Sequence, residues 1–154
     1  MRAVLVEEFM PFDQLTLKDI PSPVPGPKEV KLNTQAIGVS FAESLLVSGQ
    51  YQRKPPLPFV AGCEISGVVM ETSPGADRFK PGDRVCGLID WGSMAEESVA
   101  QEVSLHCFPD TMSHVEATCV PGSYSTTAAA LTWPNLLRVQ AGEWLLIHGA
   151  AGGV

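Results

Sequence analysis

The sequence is short of the features that mark several large classes of protein. Its four cysteines, Cys63, Cys86, Cys107 and Cys119, lie far apart and form no Cys-x-x-Cys pair, which argues against a disulfide framework and for a reducing compartment. No run approaches the roughly 20 apolar residues that span a bilayer. The apolar start Met1-Arg2-Ala3-Val4-Leu5-Val6 gives way to Glu7, too early for a secretory signal. Positive charge is scarce: 10 Lys and Arg stand against 17 Asp and Glu, for a net charge of −7. The cations are scattered, so the chain lacks the basic patch of a nucleic-acid binder, and its acidity disfavours anionic membranes. No Gly-x-Ser-x-Gly elbow is present, which removes the commonest sign of a serine hydrolase. The expected protein is cytoplasmic, with no nucleic-acid or membrane partner.

What the chain has is a globular balance, with 45% hydrophobic and 18% charged residues, and much punctuation. Thirteen prolines and fourteen glycines break the first two-thirds into short Val- and Ile-rich runs, the pattern of strands and turns. Strands are expected at Ala3 to Val6, Leu15 to Asp19, Glu64 to Glu71, Arg84 to Ile89, Met94 to Val99 and Val103 to Phe108. Val30, Leu32, Thr34 and Ala36 alternate with polar residues, the period of a half-buried strand. Pro21 to Pro27 cannot join a sheet interior, because proline has no amide donor. Ser73-Pro74-Gly75 and Lys80-Pro81-Gly82-Asp83 read as tight turns. Many short strands suggest a small barrel or sandwich.

The character changes near Asp110. Ser113-His114-Val115-Glu116 has the form of a capping box at a helix start. After the Pro121-Gly122 break, a helix is expected from about Ser123 to Leu137, with Pro134 able to end it early. Trp144-Leu145-Leu146-Ile147 is continuously apolar, as a buried parallel strand would be. It leads into Gly149-Ala150-Ala151-Gly152-Gly153-Val154. A buried strand followed by closely spaced glycines is how a dinucleotide-binding βαβ unit begins, because glycine lets the backbone approach a pyrophosphate. By itself the short glycine motif is weak, and a plain strand-to-turn reading stays open.

Taken in order, these segments resemble the quinone oxidoreductase (zeta-crystallin-like) branch of the medium-chain dehydrogenase/reductase superfamily. The resemblance rests on Met1-Arg2-Ala3-Val4 with Glu7, Pro25-Gly26-Pro27-Lys28-Glu29-Val30, and Ala36-Ile37-Gly38-Val39-Ser40-Phe41-Ala42-Glu43. It continues through Ser48-Gly49-Gln50-Tyr51, Pro55 to Gly62, Phe79-Lys80-Pro81-Gly82-Asp83-Arg84-Val85 and His148 to Val154. It implies a mainly β fold with flanking helices: a GroES-like β-barrel catalytic domain over residues 1–122. Residues 123–154 would then hold a linking helix and the first strand and turn of a truncated Rossmann domain. It also implies a homodimer.

Zinc-dependent relatives in that superfamily use three ligands, and the matching positions here are Ser40, Cys63 and Gly122. Of these only Cys63 is a good zinc donor, and zinc sites need three or four, so no catalytic zinc is expected. A site without a Lewis acid must reduce something easier than a simple ketone. The resemblance therefore implies NADPH-dependent reduction of quinones or α,β-unsaturated carbonyls. It places Tyr51 as the catalytic group in the substrate cleft. Ser40, Glu43 and Thr126 fall beside the cofactor, and Gly149, Ala150, Ala151, Gly152, Gly153 and Val154 at its phosphates. Three of these have a plainer reading. Tyr51 could pack on Pro55 and Pro56, Glu43 could cap a helix or pair with a cation, and the Thr126 hydroxyl could bond the preceding turn. A further alternative is that the 154 residues form an inactive module serving as a fragment or interaction domain, since the ribose- and adenosine-binding parts are not in this sequence.

Overall fold

The computed structural model describes residues 1–153. Two antiparallel sheets carry the fold. The smaller has the order β2-β1-β4, built from β1 (Arg2–Val6), β2 (Leu17–Asp19) and β4 (Phe59–Val60). The larger has the order β7-β3-β5-β6-β8, from β3 (Glu29–Gly38), β5 (Glu64–Thr72), β6 (Arg84–Leu88), β7 (Glu97–Gln101) and β8 (Leu105–Cys107). Helix α1 (Phe41–Val47) follows β3, and α2 (His114–Thr118) and α3 (Ser125–Thr132) follow the sheets.

Alternation explains the larger sheet's core. Val30 and Leu32 of β3, Ile65 and Val69 of β5, and Val85 of β6 point to one face and are buried with Phe79 and Leu105. The β3–β5 register shifts twice, between Lys31 and Leu32, where Met70 of β5 is the extra residue, and between Thr34 and Ala36, where Gln35 of β3 is. These bulges add twist and reset which side chains face inward beyond Thr34. Gly82, at φ 95°, closes the Pro-Gly turn between β5 and β6 in a backbone region that favours glycine.

The sheets are not closed into the expected barrel. They are joined by a single bridge between Ala3 and Ala95, with neighbouring amide bonds Val4 to Met94 and Glu96 to Arg2. Because Met94 to Glu96 are used in that junction, β7 begins at Glu97 rather than Met94. Only Leu105–Cys107 of the expected Val103 to Phe108 strand is extended, since Glu102–Ser104 forms a 3₁₀ turn.

The capping box forms with both of its bonds, Ser113 accepting from the Glu116 amide and Glu116 accepting from the Ser113 amide. The next helix is shorter than expected. Val120–Tyr124 is a π-helical turn, and α3 stops at Thr132. Trp133 turns extended because Pro134 disfavours a helical residue before it. Trp144 to Ile147 is not a strand: it pairs with no strand among the described residues, and all four side chains are exposed. A parallel strand needs neighbours to bond its amides and cover its faces, and none of the eight strands lies beside it.

The second face of the larger sheet is covered by α2. There His114 Nδ1 lies 2.7 Å from the fully buried Ser66 hydroxyl, which also donates to the Val85 carbonyl. The Arg84 guanidinium approaches the other imidazole nitrogen at 3.5 Å and stacks over Phe108. Burial, and then the Arg84 charge, hold His114 below the usual imidazole range. The unfolded chain therefore takes up this proton first as pH falls. The stabilisation is complete above about pH 6.5 and is lost progressively below it. Denaturation midpoints measured from neutral to mildly acidic pH should fall, and His114→Gln should flatten that fall; an unchanged slope would exclude the role.

Candidate active site

The chemistry-bearing side chains converge on a cleft of about 670 Å³ between α1, the start of β5, the end of β6 and the π-helical turn. Helical spacing decides what α1 contributes. Glu43, Leu46 and Val47 stand at i, i+3 and i+4 and so share one face. Leu46 and Val47 are buried against Val6, Phe59 and Ala61, which carries Glu43 inward with them; it is only 6% exposed. Its carboxylate accepts the Gly62 amide at 3.2 Å. It neither caps α1 nor pairs with a cation. Ser40 is the residue preceding α1, its hydroxyl making no cap bond, and it lines the cleft.

At the far end of α1 the chain reverses through Gly49, at φ 69°, a left-handed terminus of the kind glycine supplies. The Leu45 carbonyl then accepts from both Gln50 and Tyr51, which brings the Tyr51 ring to the cleft mouth, partly exposed. Arg53 stands beside it, held by Asp90 through two bonds (Nη2 to Oδ2 is 2.9 Å) and lying 5.6 Å from the centre of the Trp91 ring.

The floor comes from Cys63 and Glu64. The Cys63 thiol donates to the Asp90 carbonyl at 3.2 Å. Burial, then the hydrogen bond and charge of Glu43, push this thiol well above its ordinary range, so it is neutral and a poor nucleophile. Glu64 pairs across the ladder with Gly38 and lies against Gly122 of the π-helical turn. A Cβ on either glycine would collide with the Glu64 carboxyl. Burial, then the charge of Glu43, raise its carboxyl above the usual range. Among the described residues no three His, Cys, Asp or Glu side chains are grouped to hold a metal ion.

Of the other residues singled out in the sequence, Thr126 of α3 lines the cleft; it is Thr127, not Thr126, whose hydroxyl bonds back to Ser123. Gly149, Ala150, Ala151 and Gly152 form an exposed turn closed by a 2.8 Å bond from the Gly152 amide to the Gly149 carbonyl. Gly153 reaches the cleft, and Val154 lies outside the described residues. Glu64, Arg53 and Asp90 were not among the candidates. The spacing that turns Glu43 inward was available in the sequence; the enclosure of Glu64 by two distant glycines was not.

Comparison with known proteins follows the same outline. The family described as the alcohol dehydrogenase GroES-like domain matches residues 26–140. The chain belongs to that GroES-like family. It is 41% identical to quinone oxidoreductase-like protein 2 of Mus musculus over 98% of its length and 42% of that protein's. A solved quinone oxidoreductase from Pseudomonas syringae superposes with a TM-score of 0.89 at 31% identity, covering 99% of this chain and 46% of the other. A mycobacterial protein complexed with NADPH superposes at 0.83 with 32% identity, covering 92% and 43%. The chain thus spans less than half the length of these relatives. As a GroES-like domain of the medium-chain dehydrogenase/reductase type, it has quinone oxidoreductases as its curated and structural neighbours. No helix among the described residues is long and apolar enough to cross a membrane.

The two glycines beside Glu64 should differ in tolerance. Gly122→Ala meets the movable end of the carboxyl, whereas Gly38→Ala also puts a methyl 2.8 Å from the Glu64 Cβ, which is fixed to the strand. Gly38→Ala should therefore cost about 1–3 kcal/mol and Gly122→Ala measurably less, read from denaturant titrations. Glu43→Ala should cost about 1–3 kcal/mol by stranding the buried Gly62 amide, with Glu43→Gln closer to wild type.

Proposed function

We propose that the cleft is the substrate-side wall of an NADPH-dependent reductase of quinones or α,β-unsaturated carbonyls, with residues 1–122 as its substrate domain. The observation that supports this most is the gathering of Ser40, Tyr51, Thr126 and Gly153 around one cleft. Three of these offer hydroxyls, and the fourth belongs to the glycine turn. The likeness to quinone oxidoreductases and to a protein complexed with NADPH points the same way.

The residues present suit a dinucleotide. Gly149 takes φ 68°, and a Cβ at Gly149 or Gly153 would meet no atom within 4 Å, so the backbone at these two glycines is open to a phosphate. When bound, the reduced nicotinamide supplies a hydride. The Ser40 and Thr126 hydroxyls would orient its carboxamide, since each offers one donor and two acceptor positions. The Tyr51 phenol would donate to the acceptor's carbonyl oxygen, where negative charge develops as hydride arrives at carbon. Glu43 acts more remotely, fixing the Gly62 amide and thereby the segment that carries Cys63 and Glu64. Arg53, Asp90 and Trp91 would wall one side of the entrance. The donor set suits a reaction without zinc, because Ser40 and Gly122 bring no strong ligand to Cys63.

The full-length protein should oxidise NADPH when given a quinone or an enone, followed by nicotinamide absorbance, and failure with both acceptor classes would overturn the reading. Tyr51→Phe should lower kcat about tenfold, the weight of one hydrogen bond. Dialysis against a chelator should leave kcat unchanged; loss of activity restored by zinc would contradict a metal-free site.

A further inference from the structure

The reduction as proposed leaves one proton unassigned. Hydride addition to an enone forms a C–H bond at the β-carbon, shifts the π electrons and leaves an enolate. Addition to a quinone leaves a hydroquinone monoanion. Either product needs one proton, and a positioned acid delivers it faster than bulk water, because it is held where the charge develops.

Several groups face that position. From α1 comes Glu43, whose carboxylate already accepts the Gly62 amide. From the segment after β6 come Asp90 and, paired with it, Arg53, which is committed by two bonds. Cys63 donates to a backbone carbonyl. From β3 and the π-helical turn come only Gly38, Gly122 and Ser123. Glu64 is different. Neither of its carboxyl oxygens has a hydrogen-bond partner among the described residues, yet the side chain lines the cleft. Its position is set with some force. The β3–β5 register puts it opposite Gly38, and the missing side chains of Gly38 and Gly122 leave the slot it fills. A carboxyl held this closely with no protein partner is free to bond a ligand.

We infer that Glu64 is the proton donor of this site, seated between Gly38 and Gly122 so that its carboxyl O–H faces the oxygen of the reduced acceptor. In the step, the Glu64 O–H bond breaks as the new O–H bond forms on the enolate or hydroquinone oxygen. The enol then tautomerises to the saturated ketone. The two electrons come from the reduced nicotinamide, and water later reprotonates the carboxylate. Tyr51 then serves to orient the oxygen, and Glu43 serves as a positioning residue. Its negative charge, after burial, helps keep the Glu64 proton in place, so that neighbouring carboxyls take different roles. This inference rests on the reductase reading above.

The test uses the full-length protein. Glu64→Gln keeps the shape and removes the acid, and should lower kcat about a hundredfold, the usual weight of general acid catalysis, with the KM for NADPH little changed. A donor must be protonated to act, so wild-type kcat should fall as pH rises through the Glu64 titration, and that limb should vanish in Glu64→Gln. A second readout is independent of turnover: infrared difference spectra of wild type against Glu64→Gln, without substrate, should show the C=O stretch of a protonated carboxyl that the variant lacks. If Glu64→Gln does not fold, Gly122→Ala keeps the acid but displaces it, and should lower kcat while retaining the infrared band. Wild-type kcat and pH profile in Glu64→Gln, or in a folded Gly122→Ala, would overturn the inference while leaving the reductase reading intact. An infrared spectrum with no protonated carboxyl assignable to Glu64 near neutral pH would overturn it as well. Absence of any NADPH oxidation by wild type defeats the reductase reading, and this inference with it.

Discussion

The register between β3 and β5 is the constraint on which the rest depends. It sets Gly38 opposite Glu64, and two positions along it sets Ser66 on the same face as Glu64. One face of that ladder supplies Leu32, Ile65 and Val69 to the core. The other supplies Glu64 to the cleft and Ser66 to His114 of α2. Side chains alternate along a strand, so a slip of one residue would exchange the two sets. Core and site are therefore specified together, and neither can be repaired by itself.

A second constraint acts through α1. Its Leu46 and Val47 are drawn into the apolar cluster beneath the smaller sheet, with Cys63 and Trp91 packed on its rim. Burying those side chains is favourable by roughly 1.5–3 kcal/mol for each one fully covered. That gain brings in Glu43, a carboxylate that would otherwise prefer water. The structure meets the cost of its burial with the Gly62 amide. The electrostatic character of the cleft follows from this. Their own burial, and then the charge of Glu43, push the neighbouring Glu64 carboxyl and Cys63 thiol toward their neutral forms.

Much of the fold was legible in the sequence. The apolar runs between turn residues gave β1, β5 and β6 to within a residue or two, and the alternation of Val30, Leu32, Thr34 and Ala36 gave β3, because these signals are local. The Ser113–Glu116 capping box and the Pro-Gly turns are local devices and appear where local chemistry puts them. The errors fall where a distant partner decides. Met94 to Glu96 are diverted to join β1, so β7 starts late and the sheets stay unclosed. Trp144 to Ile147 has the composition of a buried strand, but composition cannot provide the neighbours that make one. In the site, Ser40, Glu43, Tyr51 and Thr126 were named from the sequence and all line one cleft. The inward face of α1 was available in the spacing of Glu43, Leu46 and Val47. Glu64 was passed over because nothing within a few positions of it marks the slot that Gly38 and Gly122 form around it.

The sequence by itself determined β1, β3, β5 and β6, where the chain turns and how α2 begins, because these depend on residue types within a few positions of one another; the family followed from the order of such segments along the chain. Tertiary structure alone decided that Glu64 lies in a slot shaped by Gly38 and Gly122, that burial and Glu43 hold the Cys63 thiol above its ordinary range, and that Arg53 is tied to Asp90 at the cleft mouth. Each depends on groups far apart in the chain, whose burial and separation exist only after the sheets have paired and the helices have packed on them.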